Sequence, residues 1–121
     1  MIVAGFGFRS GACLGSLHAA LLLAQQGHPV VTHLATIRCK LRGLAPLAEA
    51  LGLPLTGVDP EILTAVPTIT RSAASLAAYG TGSVAEASAL AVAGADASLL
   101  GPRHFSHDRM ATCAIAKGFS T

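Results

Sequence analysis

Four cations stand where ligand-binding residues are expected in this 121-residue chain. Arg9 follows a short apolar run, and no Lys, Arg, Asp or Glu other than Arg9 occurs before Arg38. Arg38, Lys40 and Arg42 occupy alternate positions after a second apolar run. If both runs are strands of an open α/β sheet, the cations lie at the edge where such sheets bind ligands. The pattern indicates a positive patch for an anionic ligand; the alternative is a set of solvated surface charges.

A glycine–threonine–glycine turn followed by a capping-box sequence is the second candidate feature. Ser83 and Glu86 stand three residues apart. The serine hydroxyl can therefore accept a hydrogen bond from the N–H of Glu86, while the carboxylate reaches back to the N–H of Ser83. A helix is predicted over about residues 84–93, and a helix N-terminus preceded by glycines is a site for anions. The candidate residues here are Thr81, Gly82, Ser83 and Glu86.

Other chemistries find weaker support. Gly5, Gly7 and Gly11 form a G-x-G-x-x-x-G pattern that departs from the dinucleotide fingerprint, although Gly7 stays a candidate turn residue. His104-x-x-His107 with the later Cys113 fits no zinc-ligand spacing, so no metal or cofactor is predicted. Cys39 lies between two cations that would lower its pKa; the alternative is an ordinary packed or exposed thiol.

Alternation of apolar runs and turn residues predicts the elements that hold these residues. The whole chain reads as one α/β domain over residues 1–121, with a polar loop at 101–108 and a tail at 118–121. Pro46 is expected in the first turn of a short helix. Strands are predicted over residues 2–6, 30–37, 53–57, 97–100 and 110–116, and helices over about 14–26, 45–51, 73–79 and 84–93, with another starting at Asp59.

Composition limits the partners. Hydrophobic residues make up 52% of the chain and charged residues 12%, with a net charge of +2, no Trp, one Tyr and four Phe. Neither the charge nor the scarce aromatic residues favour nucleic acid, and no apolar run is long enough to span a membrane. Three cysteines without a pairing pattern predict reduced thiols in the cytoplasm. High hydrophobicity also predicts a surface covered by a large ligand or by a second copy in a homo-oligomer.

The order of several motifs resembles the cobalamin-biosynthesis family formed by CobE and the C-terminal domain of CbiG, with stand-alone CobE the more similar type. These motifs are I-V-A-G-F-G-F-R-S-G at 2–11, L-A-T-I-x-x-K at 34–40, G-L-A-P-L-A-E-A-L-G-L-P-L at 43–55, T-G-S-V-A-E-A-S-A-L at 81–90 and A-T-C-A-I-A at 111–116. The chain departs from the family at Leu41-Arg42-Gly43 and Cys13-Leu14-Gly15, where many relatives carry acidic residues.

The resemblance implies a three-layer α/β/α sandwich with a mostly parallel or mixed sheet of about five strands. It also implies a precorrin-type corrin-ring ligand, which is a macrocycle fringed with acetate and propionate carboxylates, and other cobalamin-biosynthesis enzymes as partners. Arg9, Arg38, Lys40 and Arg42 would bind these carboxylates. The N–H groups of Gly82 and Ser83 would add a further anion contact.

Whether the chain is also an enzyme stays open on its sequence. CbiG-type proteins open a ring lactone, which requires a general base. The candidate bases are Glu86, His33, His104 and His107, and they form no evident constellation. A lactone hydrolase, an auxiliary structural subunit and a phosphate or nucleotide binder therefore remain as alternatives to a corrinoid-binding protein.

Overall fold

The computed structural model of the chain describes residues 1–118, so most of the predicted tail at 118–121 lies outside the described residues. Short helices and a mixed six-stranded sheet form the domain. The strands are β1 (Ile2–Phe8), β2 (His33–Ile37), β3 (Leu55–Val58), β4 (Ser98–Leu99), β5 (His104–Phe105) and β6 (Ala111–Lys117). The helices are α1 (Leu14–Gln25), α2 (Leu41–Leu51), α3 (Pro60–Thr64), α4 (Ala73–Tyr79) and α5 (Val84–Ala93).

The sheet has the order β3-β2-β1-β6-β4, and β5 pairs with β6 outside this path. Strands β1, β2 and β3 run parallel, whereas β6 lies antiparallel beside β1 with Gly5 opposite Ala114. The carboxyl ends of β1 and β2 therefore reach the same edge of the sheet, together with the start of β6. This edge carries Arg9 and Arg38, as the sequence predicts.

Helices cover both faces of the sheet, which confirms the three-layer α/β/α sandwich. Successive residues of β1 point to opposite faces. Ile2, Ala4 and Phe6 lie in the core beneath α1 and α2, while Val3 packs with alanines of α5 on the other face. A third apolar cluster joins α3 and α5 to the ends of β2 and β3.

Gly5 sets the distance between α5 and the sheet. A Cβ atom at this position would lie 2.0 Å from the carbonyl oxygen of Ala85 and 2.6 Å from the backbone nitrogen of Ala89. Only a glycine beneath a helix rich in alanine allows the two backbones to approach so closely. The small residues of α5 thus have a packing role, and they bring the helix N-terminus directly to the end of β1.

Some predicted boundaries are wrong. Strand β2 starts at His33 rather than at residue 30, since Val30 is 76% exposed and follows a proline. A 3₁₀ turn at Arg38–Lys40 leads directly into α2, so Pro46 lies inside this helix and not in its first turn. Burial of Leu44 and Leu47 on the core face of α2 outweighs the cost of the interior proline. Within residues 1–118, no helix combines the length and apolarity needed to cross a bilayer.

Candidate functional site

A cavity of about 380 Å³ opens where β1 ends and α5 begins. Strands β1 and β6 form its floor, α4 and the start of α5 form one wall, and the loop between β4 and β6 forms the other. The backbone N–H of Arg9 donates to the carbonyl of Met110 at 2.9 Å, which joins the end of β1 to this loop. The cavity is lined by Gly7, Phe8, Arg9, Ser72, Ala74, Ser75, Tyr79, Ser83, Val84, Arg103, Phe105, Arg109, Met110, Ala111 and Thr112.

Three arginines, Arg9, Arg103 and Arg109, give the cavity its charge. No Asp or Glu among residues 1–118 lines it, and none forms an ion pair with these arginines. The Nε atom of Arg103 is buried and has no hydrogen-bond partner in the described structure. The cavity therefore carries positive charge that nothing within it neutralises, which favours a ligand with several negative groups.

Phe105 places two of these arginines. The guanidinium carbon of Arg103 lies 4.9 Å from the centre of the Phe105 ring, and that of Arg109 lies 4.3 Å from it. Cations at such distances are attracted by the π electrons of the ring. Tyr79, Phe8 and Met110 add apolar surface to the same cavity. The site thus combines guanidinium groups with apolar walls.

Asp108 fastens the arginine-bearing loop to the body of the domain. Its carboxylate accepts hydrogen bonds from the Ser106 hydroxyl at 2.6 Å, from the Met110 N–H at 3.1 Å and from the Ser16 hydroxyl on α1. The bonds from Ser106 and Ser16 lower the pKa of Asp108 to about 2. The next residue, Arg109, has a φ of 60°, which is uncommon for a residue other than glycine.

Glu86 connects the loop before α4 to the loop between β4 and β6, which form opposite walls of the cavity. The predicted hydrogen bond from the N–H of Glu86 to the Ser83 hydroxyl is present at 3.2 Å. The second predicted bond of the capping box, from the N–H of Ser83 to the Glu86 carboxylate, is wrong. The fully buried carboxylate instead accepts from the Ile69 N–H at 2.7 Å, from the N–H and hydroxyl of Thr70 at 2.9 and 2.8 Å, and from the Arg103 N–H at 3.0 Å. Glu86 does not line the cavity; it holds the loop before α4 and the loop of Arg103 together.

The predicted site residues fall into separate groups. Gly7, Arg9 and Ser83 line the cavity. Thr81 and Gly82 line a neighbouring cavity of about 330 Å³ on the other side of α4, which Arg71 also borders. Both belong to the predicted anion site, but neither borders the cavity of the three arginines.

The three cations after β2 do not reach this cavity either. Arg38 forms a 2.9 Å ion pair with Asp59 and borders a distinct cavity beside β3. Lys40 donates from Nζ to the Phe8 carbonyl at 2.5 Å, with Nζ 5.1 Å from the centre of the Phe8 ring. Arg42 is exposed on α2. Lys40 thus contacts Phe8, which lines the cavity. Arg38 and Arg42 lie apart from the cavity.

Sequence reasoning missed Arg103, Phe105 and Arg109. The first two lie in the segment predicted as a polar loop at 101–108, and Arg109 directly follows it. Two of these residues belong to or flank β5, a strand of two residues that pairs with β6 at Phe105 and Thr112. So short a strand has no periodicity to detect. The available signal was an aromatic residue between two arginines, Arg-x-Phe-x-x-x-Arg, in a chain with few of either.

The candidate bases and metal ligands lie elsewhere. His33 is half-buried on β2, with Nδ1 2.7 Å from the Thr32 hydroxyl, while His104 and His107 are exposed. Cys113 is buried opposite His104 in the sheet, and burial raises the pKa of its thiol. Across residues 1–118, no three His, Cys, Asp or Glu side chains come together as metal ligands would.

The sequence and the fold both match known proteins. The family model described as cobalamin synthesis G C-terminus matches residues 2–116. CobE, a protein from the cobalamin (vitamin B12) biosynthetic pathway, has a similar structure with a TM-score of 0.89 and 34% identity, covering 100% of this chain and 92% of that one. The cobalamin biosynthesis protein chiG from Agrobacterium tumefaciens str. C58 gives 0.77 and 36%, covering 99% and 100%.

A more distant protein shares the fold. It is a putative cobalamin biosynthesis protein G homolog from Sulfolobus solfataricus, with a TM-score of 0.72 and 18% identity, over 95% of this chain and 36% of that one. No curated protein sequence matches the chain significantly.

Proposed function

The chain belongs to the cobalamin-biosynthesis family of CobE and the CbiG C-terminal domain, and we propose that it binds a corrin-ring polycarboxylate in the cavity at the end of β1. The observation that carries this proposal is the grouping of Arg9, Arg103 and Arg109 in a cavity that, within residues 1–118, no acidic side chain lines. Guanidinium groups bind carboxylates through paired, charge-assisted hydrogen bonds. Such ligands carry several carboxylates around one ring.

The rest of the cavity suits the body of such a ligand. Phe8, Tyr79, Phe105 and Met110 offer apolar surface to a flat, partly apolar macrocycle. A volume of about 380 Å³ holds one edge of the ring and its side chains, with the remainder of the macrocycle outside. This arrangement supports binding through the carboxylate fringe rather than enclosure of the whole ring.

The lining also favours binding over hydrolysis. Opening a lactone with water requires a group that takes up a proton at neutral pH. Among the residues that the structure describes, no His, Cys, Lys, Asp or Glu lines the cavity. Glu86 has its carboxylate engaged by four hydrogen bonds on the far side of the wall. We therefore propose a corrinoid-binding protein and place the lactone hydrolase second.

A visible-absorbance titration with hydrogenobyrinic acid tests this function. Wild-type protein is expected to shift the ligand spectrum to saturation, and Arg103→Ala is expected to weaken binding about tenfold or more, since a hydrogen bond to a charged group contributes about 1.5–3 kcal/mol. Arg38→Ala is the matched control, because it removes the same charge outside the cavity. Equal weakening by both substitutions would indicate a general charge effect and count against the proposed site.

A further inference from the structure

We infer that Arg103 and Arg109, held on the ring of Phe105, form a two-guanidinium clamp that takes two free carboxylates of one ligand and selects against its amides. The inference rests on the proposed function for the identity of the ring. The chemistry of the clamp itself requires only a dicarboxylate. This assigns a specificity to the β4–β6 loop, which none of the motifs shared with the family includes.

The two cations share one aromatic side chain. Their guanidinium carbons lie 4.9 and 4.3 Å from the centre of the Phe105 ring, so they cannot be farther apart than these two distances together. Two like charges at such a separation repel each other. Within residues 1–118, no carboxylate lines the cavity to offset this repulsion. A ligand with two negative groups neutralises both guanidinium charges and so removes this repulsion. A ligand with one negative group removes only part of the repulsion.

The backbone of both arginines is fixed before any ligand arrives. The Arg103 N–H donates to Glu86 at 3.0 Å, and the Arg109 N–H donates to the carbonyl of Ser106 at 2.9 Å. Asp108, the acidic neighbour of Arg109, is engaged by Ser106, Ser16 and the Met110 N–H. The backbone at both positions therefore loses little freedom on binding, which favours affinity, while the guanidinium groups are restrained by the Phe105 ring.

Arg103 also has an unused donor at this point. Its Nε is buried and without a hydrogen-bond partner in the described structure. A carboxylate that binds a guanidinium side-on accepts from Nε and from one terminal nitrogen at once. An amide offers one oxygen and, in place of the other, an NH₂ donor that faces the guanidinium donors. The clamp therefore prefers a ligand in which the two carboxylates that it contacts are free acids rather than amides.

Small acids test the clamp without the ring. Glutarate carries two carboxylates, and glutaramate carries one carboxylate and one amide in the same frame. In ¹⁵N NMR titrations of the arginine Nε–H groups, glutarate is expected to shift Arg103 and Arg109 with one shared Kd, and glutaramate to bind at least fivefold more weakly. Phe105→Leu should reduce this preference to less than twofold. Arg109→Gln should do the same if the leucine variant does not fold.

The outcomes separate the clamp from the proposed function. Separate Kd values for the two arginines, or equal binding of glutarate and glutaramate, would overturn the clamp whether or not the ring binds. A shared Kd with the expected preference, in a protein that fails to bind hydrogenobyrinic acid, would retain the clamp and overturn the proposed function. If both hold, hydrogenobyrinic acid is expected to bind at least tenfold more tightly than its fully amidated counterpart.

Discussion

Individual side chains at the cavity combine charge with restraint. Arg9 extends from the end of β1, while Arg103 and Arg109 come from the loop between β4 and β6. Arginine stays charged over the whole physiological pH range. The protein therefore presents the same positive cavity at every pH in that range, and the ligand must supply the negative charge.

The backbone conformation of Arg109 predicts that replacing this residue by glycine increases stability and decreases ligand affinity. Its φ of 60° costs about 1–2 kcal/mol for an L-residue, and glycine adopts this conformation without that cost. Arg109→Gly is therefore expected to raise the free energy of unfolding by up to about 1 kcal/mol, after the larger chain entropy of glycine is allowed for. The same variant should lose ligand affinity. Urea unfolding and the absorbance titration measure the two effects, and a variant that is both less stable and unaltered in binding would refute this reading.

Asp108 predicts a pH dependence of stability. Its folded-state pKa of about 2 lies below the ordinary value of 3.8, so the carboxylate stabilises the folded protein above about pH 4. This contribution is lost as pH falls through 2. The difference in unfolding free energy between wild type and Asp108→Asn is thus expected to be constant from pH 7 to pH 5 and to shrink below pH 4.

Urea unfolding at several pH values measures this difference. Asp96→Asn is the control, because Asp96 is exposed and the described structure gives its side chain no hydrogen bond or ion pair. A difference in unfolding free energy between wild type and Asp108→Asn that does not change with pH would contradict this prediction. It would show that the charge of the Asp108 carboxylate does not stabilise the loop.

At the scale of elements, Glu86 on α5 connects two loops that do not otherwise belong together. Glu86→Gln keeps the size of the side chain but replaces one acceptor oxygen with a donor. Either the Thr70 loop or the Arg103 loop then loses its acceptor, and stability should fall by about 1–3 kcal/mol. Ligand affinity should fall at least fivefold because Arg103 is released.

The control for this substitution is Glu49→Gln on the exposed side of α2. Unfolding by urea and the absorbance titration are run on both variants. A stable Glu86→Gln protein with wild-type affinity would mean that the cavity walls are held in place without this carboxylate.

The contact of α5 with β1 makes Gly5 the most restrictive position of the sheet. Gly5→Ala would press a methyl group into the backbone of α5 at 2.0 Å. We expect a loss of about 3 kcal/mol or more in unfolding free energy, or failure to fold, because neither backbone can move without displacing the other. Gly101→Ala, where nothing lies within 4 Å of the added atom, should change stability little. Comparable thermal melting of the two variants would contradict this account of the helix–sheet packing.

Local patterns explain which elements could be predicted. Ser83 caps α5 through a bond that spans three residues, so its sequence was sufficient. The Glu86 carboxylate accepts hydrogen bonds from groups 16 and 17 residues away, and a local pattern cannot show such partners. Strand β5 exists only because it pairs with β6. For the same reason, the sheet edge carrying Arg9 was predictable but the contribution of Arg103 and Arg109 was not.

For the molecule as a whole, the sheet order decides which charges share a cavity. β1 lies between β2 and β6, so its end adjoins loops from both neighbours. The β6 side supplies Arg103 and Arg109, whereas the β2 side turns Arg38 toward Asp59 and a separate cavity of about 300 Å³. The predicted homo-oligomer and partner enzymes stay predictions, which analytical ultracentrifugation with and without ligand would address.

As a proposed binder of a corrin polycarboxylate, the domain is expected to leave its ligand chemically unchanged. The most direct test of this expectation is titration of wild-type protein with hydrogenobyrinic acid, followed by mass spectrometry of the ligand released from the complex. We expect a saturable spectral shift with one ligand per chain and an unaltered ligand mass. No shift at high micromolar ligand would contradict the binding site, and a ligand whose mass had changed would show that the protein is an enzyme.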